Sequence, residues 1–250
     1  MNFQRIIFLF SIILAGCSKP SDKIIIATAA NVQYVMQDIK KEFEKESGKK
    51  IEIVVSSSGK LTTQIREGAP FDVFVSADTK YPQEIYARGG SDEKPKIYAL
   101  GTLVLWAKNI PSADLKIEIL SGEKVRKIAI PNPRVAPYGE AALQVLEKQK
   151  SFDQIKKKLV YGESIAQTAQ YISSGSVEAG FNALSIVLSP EMKGKGQWII
   201  VDSTLYKPIE QAAILLKHSA DSPKKETSRQ FYDFLYSKKG REIFTKYGYK

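Results

Sequence analysis

Lys23-Ile24-Ile25-Ile26-Ala27-Thr28 opens the stretch from which the fold is read. Val35, Ile39 and Phe43 follow at helical spacing across residues 32–47, and Ile51-Glu52-Ile53-Val54-Val55 comes next. A short apolar run rich in β-branched residues predicts a buried strand, and apolar positions recurring at three to four residues predict a helix packed on it. The rhythm continues with a helix over Leu61 to Arg66, a strand over Val73 to Ser76 and a helix over about 79–88. Strand and helix in strict alternation predict an α/β fold, its sheet mostly parallel and covered on both faces.

Working outward, residues 97–107 (Ile-Tyr-Ala-Leu-Gly-Thr-Leu-Val-Leu-Trp-Ala) form an apolar segment too long for one short central strand. Such a segment can leave one domain and enter another. A second series follows, with strand Lys127 to Ile130, helices Gly139 to Gln149 and Ile165 to Ser174, and strand Ala179 to Asn182. An extended run from Gln211 to Lys217 precedes helices at about 224–236 and 238–246. The simplest organisation is two α/β lobes joined by two crossings. Residues 23–102 and 206–250 form the first lobe and residues 103–205 the second.

The first residues bear on location. Arg5 precedes the apolar run Ile6 to Leu14, and Ala15-Gly16-Cys17 follows. A basic start, a short apolar stretch and small residues before a cleavage point read as a secretory leader. The run is too short to span a hydrocarbon core of about 30 Å as a helix. Leu14-Ala15-Gly16-Cys17 resembles the bacterial lipobox, so Cys17 is expected to carry lipid after removal of residues 1–16, with 17–22 as a tether. Cys17 is the one cysteine in the chain, so the body holds neither a disulfide nor a thiolate metal site. The formal net charge is +10, and loss of the leader removes Arg5 and no acid, leaving +9. The lysines are scattered and no aromatic stripe interleaves them, which argues against a nucleic-acid partner.

In open α/β sheets ligands bind beyond the C-terminal ends of the strands. Four loops there are rich in small or hydroxyl residues and open onto helices: Thr28-Ala29-Ala30-Asn31, Ser56-Ser57-Ser58-Gly59, Pro131 to Gly139, and Gly162-Glu163-Ser164-Ile165. Unpaired backbone N–H groups and the positive dipole end favour an anion at a helix N-terminus. Taken singly, each Ser, Thr or Asn is an ordinary N-cap. Four together point to a shared anion pocket, in which aligned neutral dipoles spread the compensation for a dehydrated dianion.

The residues then match a family. Ala29-Ala30-Asn31, Ser57-Ser58-Gly59-Lys60-Leu61, the block from Gln64 through Gly68-Ala69-Pro70-Phe71-Asp72-Val73-Phe74-Val75-Ser76-Ala77-Asp78, and Tyr247-Gly248-Tyr249 resemble the periplasmic molybdate-binding proteins. The resemblance runs from about residue 23 to the end. It implies a two-lobed type II periplasmic-binding-protein fold that closes on molybdate or tungstate and delivers it to an ATP-binding-cassette (ABC) permease. It implies no cofactor, and the protein is expected to be a monomer. It places Asn31 and Ser58 as donors from the first two loops and Tyr138 in the Pro-Tyr-Gly turn, with Ile165 donating through its backbone. Ala30 stands where some members have threonine, so its N–H alone could take part. Ala183 stands where some members place a ligand tyrosine, and the Tyr138 hydroxyl is expected to substitute from the other side of the cleft. Asp72 is expected to cap the turn entering a strand and Asp78 the next helix, neither touching ligand.

Other classes fare worse. The single histidine, His218, sits at a polar strand exit, so no nucleophile has a histidine base beside it. No Gly-x-x-x-x-Gly-Lys loop or metal-spaced cluster occurs, so binding is expected in place of catalysis. Sulfate, phosphate or a small organic anion remain the alternative ligands, although an organic anion would ordinarily call for an Arg or Asp clamp. An adhesion lipoprotein would need an exposed apolar patch.

Overall fold

The computed structural model describes residues 23–220 and 223–250. The expected leader, the tether and Cys17 lie outside the described residues. In chain order the first unit runs β1 (Ile24–Ala29), α1 (Gln33–Ser47), β2 (Ile51–Ser56), α2 (Ser58–Arg66), β3 (Val73–Val75), α3 (Lys80–Ala87) and β4 (Lys96–Gly101). The second runs β5 (Leu103–Ala107), β6 (Ile128–Pro131), α4 (Pro137–Lys148), α5 (Phe152–Ile155), β7 (Leu159–Gly162), α6 (Ile165–Ser174), β8 (Ala179–Ala183), α7 (Leu184–Val187) and β9 (Gln197–Ile200). The chain ends with β10 (Ile209–Leu215), α8 (Lys217–Ala220), α9 (Lys225–Tyr236) and α10 (Lys238–Lys246).

Two five-stranded sheets result, ordered β2-β1-β3-β10-β4 and β7-β6-β8-β5-β9. Each is parallel apart from one strand: β10 runs antiparallel to β3 and β4, and β5 runs antiparallel to β8 and β9. This is the expected α/β architecture of the two-lobed binding-protein fold. The long apolar segment breaks at Thr102, with β4 in one sheet and β5 in the other. β10 returns the chain to the first sheet, and the terminal residue seals its edge, since Leu100 N donates to Lys250 O at 2.8 Å.

Local chemistry explains these elements. β1 is buried almost throughout because helices cover both faces of its sheet. α1 buries Val35, Met36, Ile39 and Phe43 on one stripe and stops at Gly48, whose φ of 69° suits the left-handed cap. Phe43 meets Phe231 edge-on at 5.3 Å between ring centres, which fastens the C-terminal helix α9 to α1. Two strands escaped the sequence reading. β7 and β9 are the outer strands of the second sheet and are half-exposed, so they lack the continuous apolar run of an inner strand. Two helices also begin earlier than expected, α2 at Ser58 instead of Leu61 and α4 at Pro137 instead of Gly139. The loop residues singled out above therefore sit in first helical turns.

Asp72 is fully buried and does something other than cap its own turn. Its Oδ2 accepts from Ile25 N at 2.7 Å, pinning the start of β1, and lies 3.8 Å from Lys224 Nζ. Burial pushes its carboxyl above the usual range against that hydrogen bond and cation. Asp78 meets expectation, its Oδ1 accepting from Tyr81 N at 3.2 Å and from Ser76 Oγ at 3.0 Å.

Candidate anion-binding site

The strand-end loops converge on a small cavity between the two sheets. Asn31, Ser57, Ser58 and Ala77 line it from the first sheet's side, with Ala29 and Ala30 beside them. Ala136, Pro137, Tyr138 and Ile165 line it from the other. All five sequence-nominated residues, Ala30, Asn31, Ser58, Tyr138 and Ile165, thus meet at one place. No lining residue carries a charge. Roomier hollows exist elsewhere, such as the one walled by Ser91, Lys217 and Arg229, but they gather none of these loops. In that hollow Arg229 pairs with Glu93 and Lys217 with Asp92.

Helices supply the donors. α2, α4 and α6 begin at Ser58, Pro137 and Ile165. Ser57 and Ala136 precede the first two of these helices without any side-chain cap, while the Ser164 hydroxyl accepts from Gln167 N at 3.3 Å. The first-turn amides of Ser58, Tyr138 and Ile165 have no hydrogen-bond acceptor among the described residues. The Ser58 Oγ accepts from Ala77 N at 3.0 Å, which turns its lone pair inward and leaves its proton to donate. Ser57 Oγ and Asn31 Oδ1 are buried with no partner. A buried polar atom left unpaired costs about 1–3 kcal/mol, so orphans clustered round one cavity mark a place for a polar guest.

The aromatic hydroxyls behave differently. Tyr138 Oη accepts from Gln211 Nε2 at 3.0 Å, so it belongs to a buried network beside the cavity. What Tyr138 holds unpaired is its backbone N–H. Gln211 Oε1 accepts from Asn31 Nδ2 at 2.7 Å and from Tyr98 Oη at 2.8 Å. Asn31 Nδ2 also donates to Tyr249 Oη at 2.9 Å. Burial raises Tyr98 and Tyr138 well above the ordinary phenol range and Tyr249 to about 12, so all three stay neutral beside an anion. Asp78 is pushed up to about 6, chiefly by burial, which the Tyr81 amide and Ser76 hydroxyl oppose.

The two sheets also touch across the cleft. Gly59 N donates to Val135 O at 2.9 Å and Tyr81 Oη to Arg134 O at 3.1 Å. Lys60 pairs with Glu163 at 2.7 Å at the solvent rim. Ser185 Oγ reaches Asn31 O at 2.7 Å. Sequence reasoning passed over Ser57, Gln211 and Ser185. Ser57 stood in the right triplet, whereas Gln211 read only as the start of a strand.

Two similar lobes, a cleft at the strand ends and an uncharged cavity of donors define a two-lobed solute-binding protein. The chain belongs to the family of bacterial extracellular solute-binding proteins, whose model matches residues 24–250, and within it to the molybdate-binding (ModA) proteins. It is 35% identical to the molybdate-binding protein ModA of Azotobacter vinelandii, over 99% of this chain and 98% of that one. It is 38% identical to the ModA of Rhodobacter capsulatus, over 91% and 88% respectively. The solved periplasmic molybdate-binding protein of A. vinelandii superposes with a TM-score of 0.85 at 31% identity, covering 91% of this chain and 99% of that one.

Proposed function

We propose that this protein captures molybdate or tungstate between its two lobes outside the cytoplasm and hands it to an ABC importer. The observation that carries the reading is the uncharged cavity, lined by residues at three helix starts whose first amides are unpaired and by the unpartnered Ser57 hydroxyl. Neutral donors hold a tetrahedral dianion through several charge-assisted hydrogen bonds, each stronger than a neutral one. The cavity is too small, and too free of Arg or Asp, for an organic anion with charged groups to be clamped at both ends. Ser58 donates through its hydroxyl and Asn31 through its carboxamide, while Ala30, Tyr138 and Ile165 donate through backbone N–H groups. Residues 23–102 with 206–250 supply Ala30, Asn31 and Ser58 and residues 103–205 supply Tyr138 and Ile165, so closure completes the set.

The protein works as a monomer held to a membrane through lipid on Cys17, and it binds its cargo without transforming it. That reading of the N-terminus rests on the lipobox-like sequence. Among the described residues no helix is long and apolar enough to cross a membrane.

Calorimetry on the form beginning at Ser18, with molybdate, tungstate, sulfate and phosphate at matched ionic strength, tests the proposal. Sub-micromolar binding of the first two, with the others far weaker, is expected. Absence of binding to any of the four would overturn it and direct attention to organic anions.

A further inference from the structure

Asn31 faces a conflict. Both hydrogens of its Nδ2 are engaged inside the protein, by Gln211 Oε1 at 2.7 Å and Tyr249 Oη at 2.9 Å. Its Oδ1 is the atom left buried and unpaired. A bare acceptor beside a cavity built for a dianion repels the guest. A carboxamide, however, has nearly the same shape after a half-turn that exchanges its oxygen and nitrogen.

Turning Asn31 alone would set its Oδ1 against Gln211 Oε1, acceptor on acceptor. Turning Gln211 as well removes the clash. Gln211 Nε2 then donates to Asn31 Oδ1, and Gln211 Oε1 accepts from Tyr138 Oη, which already lies 3.0 Å from that carboxamide. Tyr98 Oη turns its single proton from Gln211 to Ser76 O, 2.9 Å away, and can receive the second Nε2 hydrogen. Tyr249 Oη can donate to Asn31 Oδ1, while Ser185 still holds Asn31 O. After the double turn the bonds among Asn31 Oδ1, Gln211 and the tyrosines are remade, and Asn31 Nδ2 stands where the orphaned oxygen was, its protons left for the oxyanion.

We propose that Gln211 is a positioning residue: it turns together with Asn31 when an oxyanion enters, and so converts Asn31 from acceptor to donor. This rests on reading Asn31 as a ligand donor. The placement of Gln211 suits the task. It is fully buried at a register shift in β10, beside β4, and links Asn31 and Tyr98 of the first sheet unit to Tyr138 of the second.

The test is a double-mutant cycle read by calorimetry with molybdate, together with side-chain amide spectra of ¹⁵N-labelled wild-type protein. Asn31→Ala and Gln211→Met are each expected to weaken binding about tenfold, and Gln211→Met to add less than about twofold once Asn31 is gone. In the spectra both carboxamides should shift on molybdate addition. Unchanged affinity in Asn31→Ala would sink the underlying reading of Asn31. A loss in Asn31→Ala combined with no loss in Gln211→Met, or with an equal loss in both backgrounds, would overturn the positioning role alone. Should Gln211→Met fail to fold, the wild-type spectra decide: a Gln211 amide that stays still while that of Asn31 moves refutes the coupled turn.

Discussion

Gly59→Ala isolates lobe closure from everything else the fold does. Gly59 lies in the first turn of α2, and its N–H donates across the cleft to Val135 O at 2.9 Å. A Cβ at this position would stand 2.9 Å from Val135 Cα, 3.0 Å from Val135 Cβ and 2.8 Å from Tyr81 Oη. Relaxed carbon contacts lie at about 3.5–4.0 Å, so the lobes must part by roughly 1 Å at this point or distort. Overpacking of this size costs about 1–3 kcal/mol, which converts to roughly 5- to 150-fold weaker binding. Parted lobes would leave only the Tyr81 hydroxyl, the far end of a side chain on the same lobe, to move aside, and alanine favours the helix over glycine by about 1 kcal/mol. The variant should therefore unfold at equal or higher urea concentration without ligand, yet bind molybdate more weakly in calorimetry. Wild-type affinity in a folded Gly59→Ala protein would refute the idea that this contact forms when ligand is held.

Two further outcomes follow from the site. Ser58→Ala removes one donor and should weaken molybdate binding by about 1–3 kcal/mol, measured by the same titration; unaltered binding would take Ser58 out of the donor set. Asp78→Asn should show a pH-dependent gain in stability. Burial raises the folded pKa of Asp78 to about 6 from 3.8, so the native state holds its proton more tightly than the unfolded chain does. Its ionisation therefore erodes stability as pH rises from about 4 to 6. The urea-midpoint advantage of the variant should open across that window, level off above it at on the order of 1–2 kcal/mol, and vanish below pH 4. A constant difference at all pH values would contradict this.

The inner scaffold was legible because its signals are periodic. The stripe of Val35, Ile39 and Phe43 and the buried run of β1 can each be read without tertiary context. The outer strands β7 and β9 were not, since an edge strand half in water follows neither strand pattern cleanly. Helix starts at Ser58 and Pro137 were read late because a first turn need contain no apolar residue of the stripe. The hydroxyl-rich loops pointed to their own convergence. Gln211 did not, because its meaning depends on partners 113 and 180 residues away in sequence.

Gly101 and Thr102 carry one more consequence. A single residue separates β4 from β5, and a side chain at Gly101 would collide with Tyr138 Oη and Gln211 Nε2. In the proposed closure this crossing, one of two between the lobes, pivots against the groups that surround the cavity. This is a lever with a short input arm and a long output arm. A few tenths of an ångström gained or lost among the donors emerges at the rims as a larger change of outline. A transporter touching both rims would therefore gauge the anion's size without touching the anion, and a poorly fitting guest would be carried but not announced.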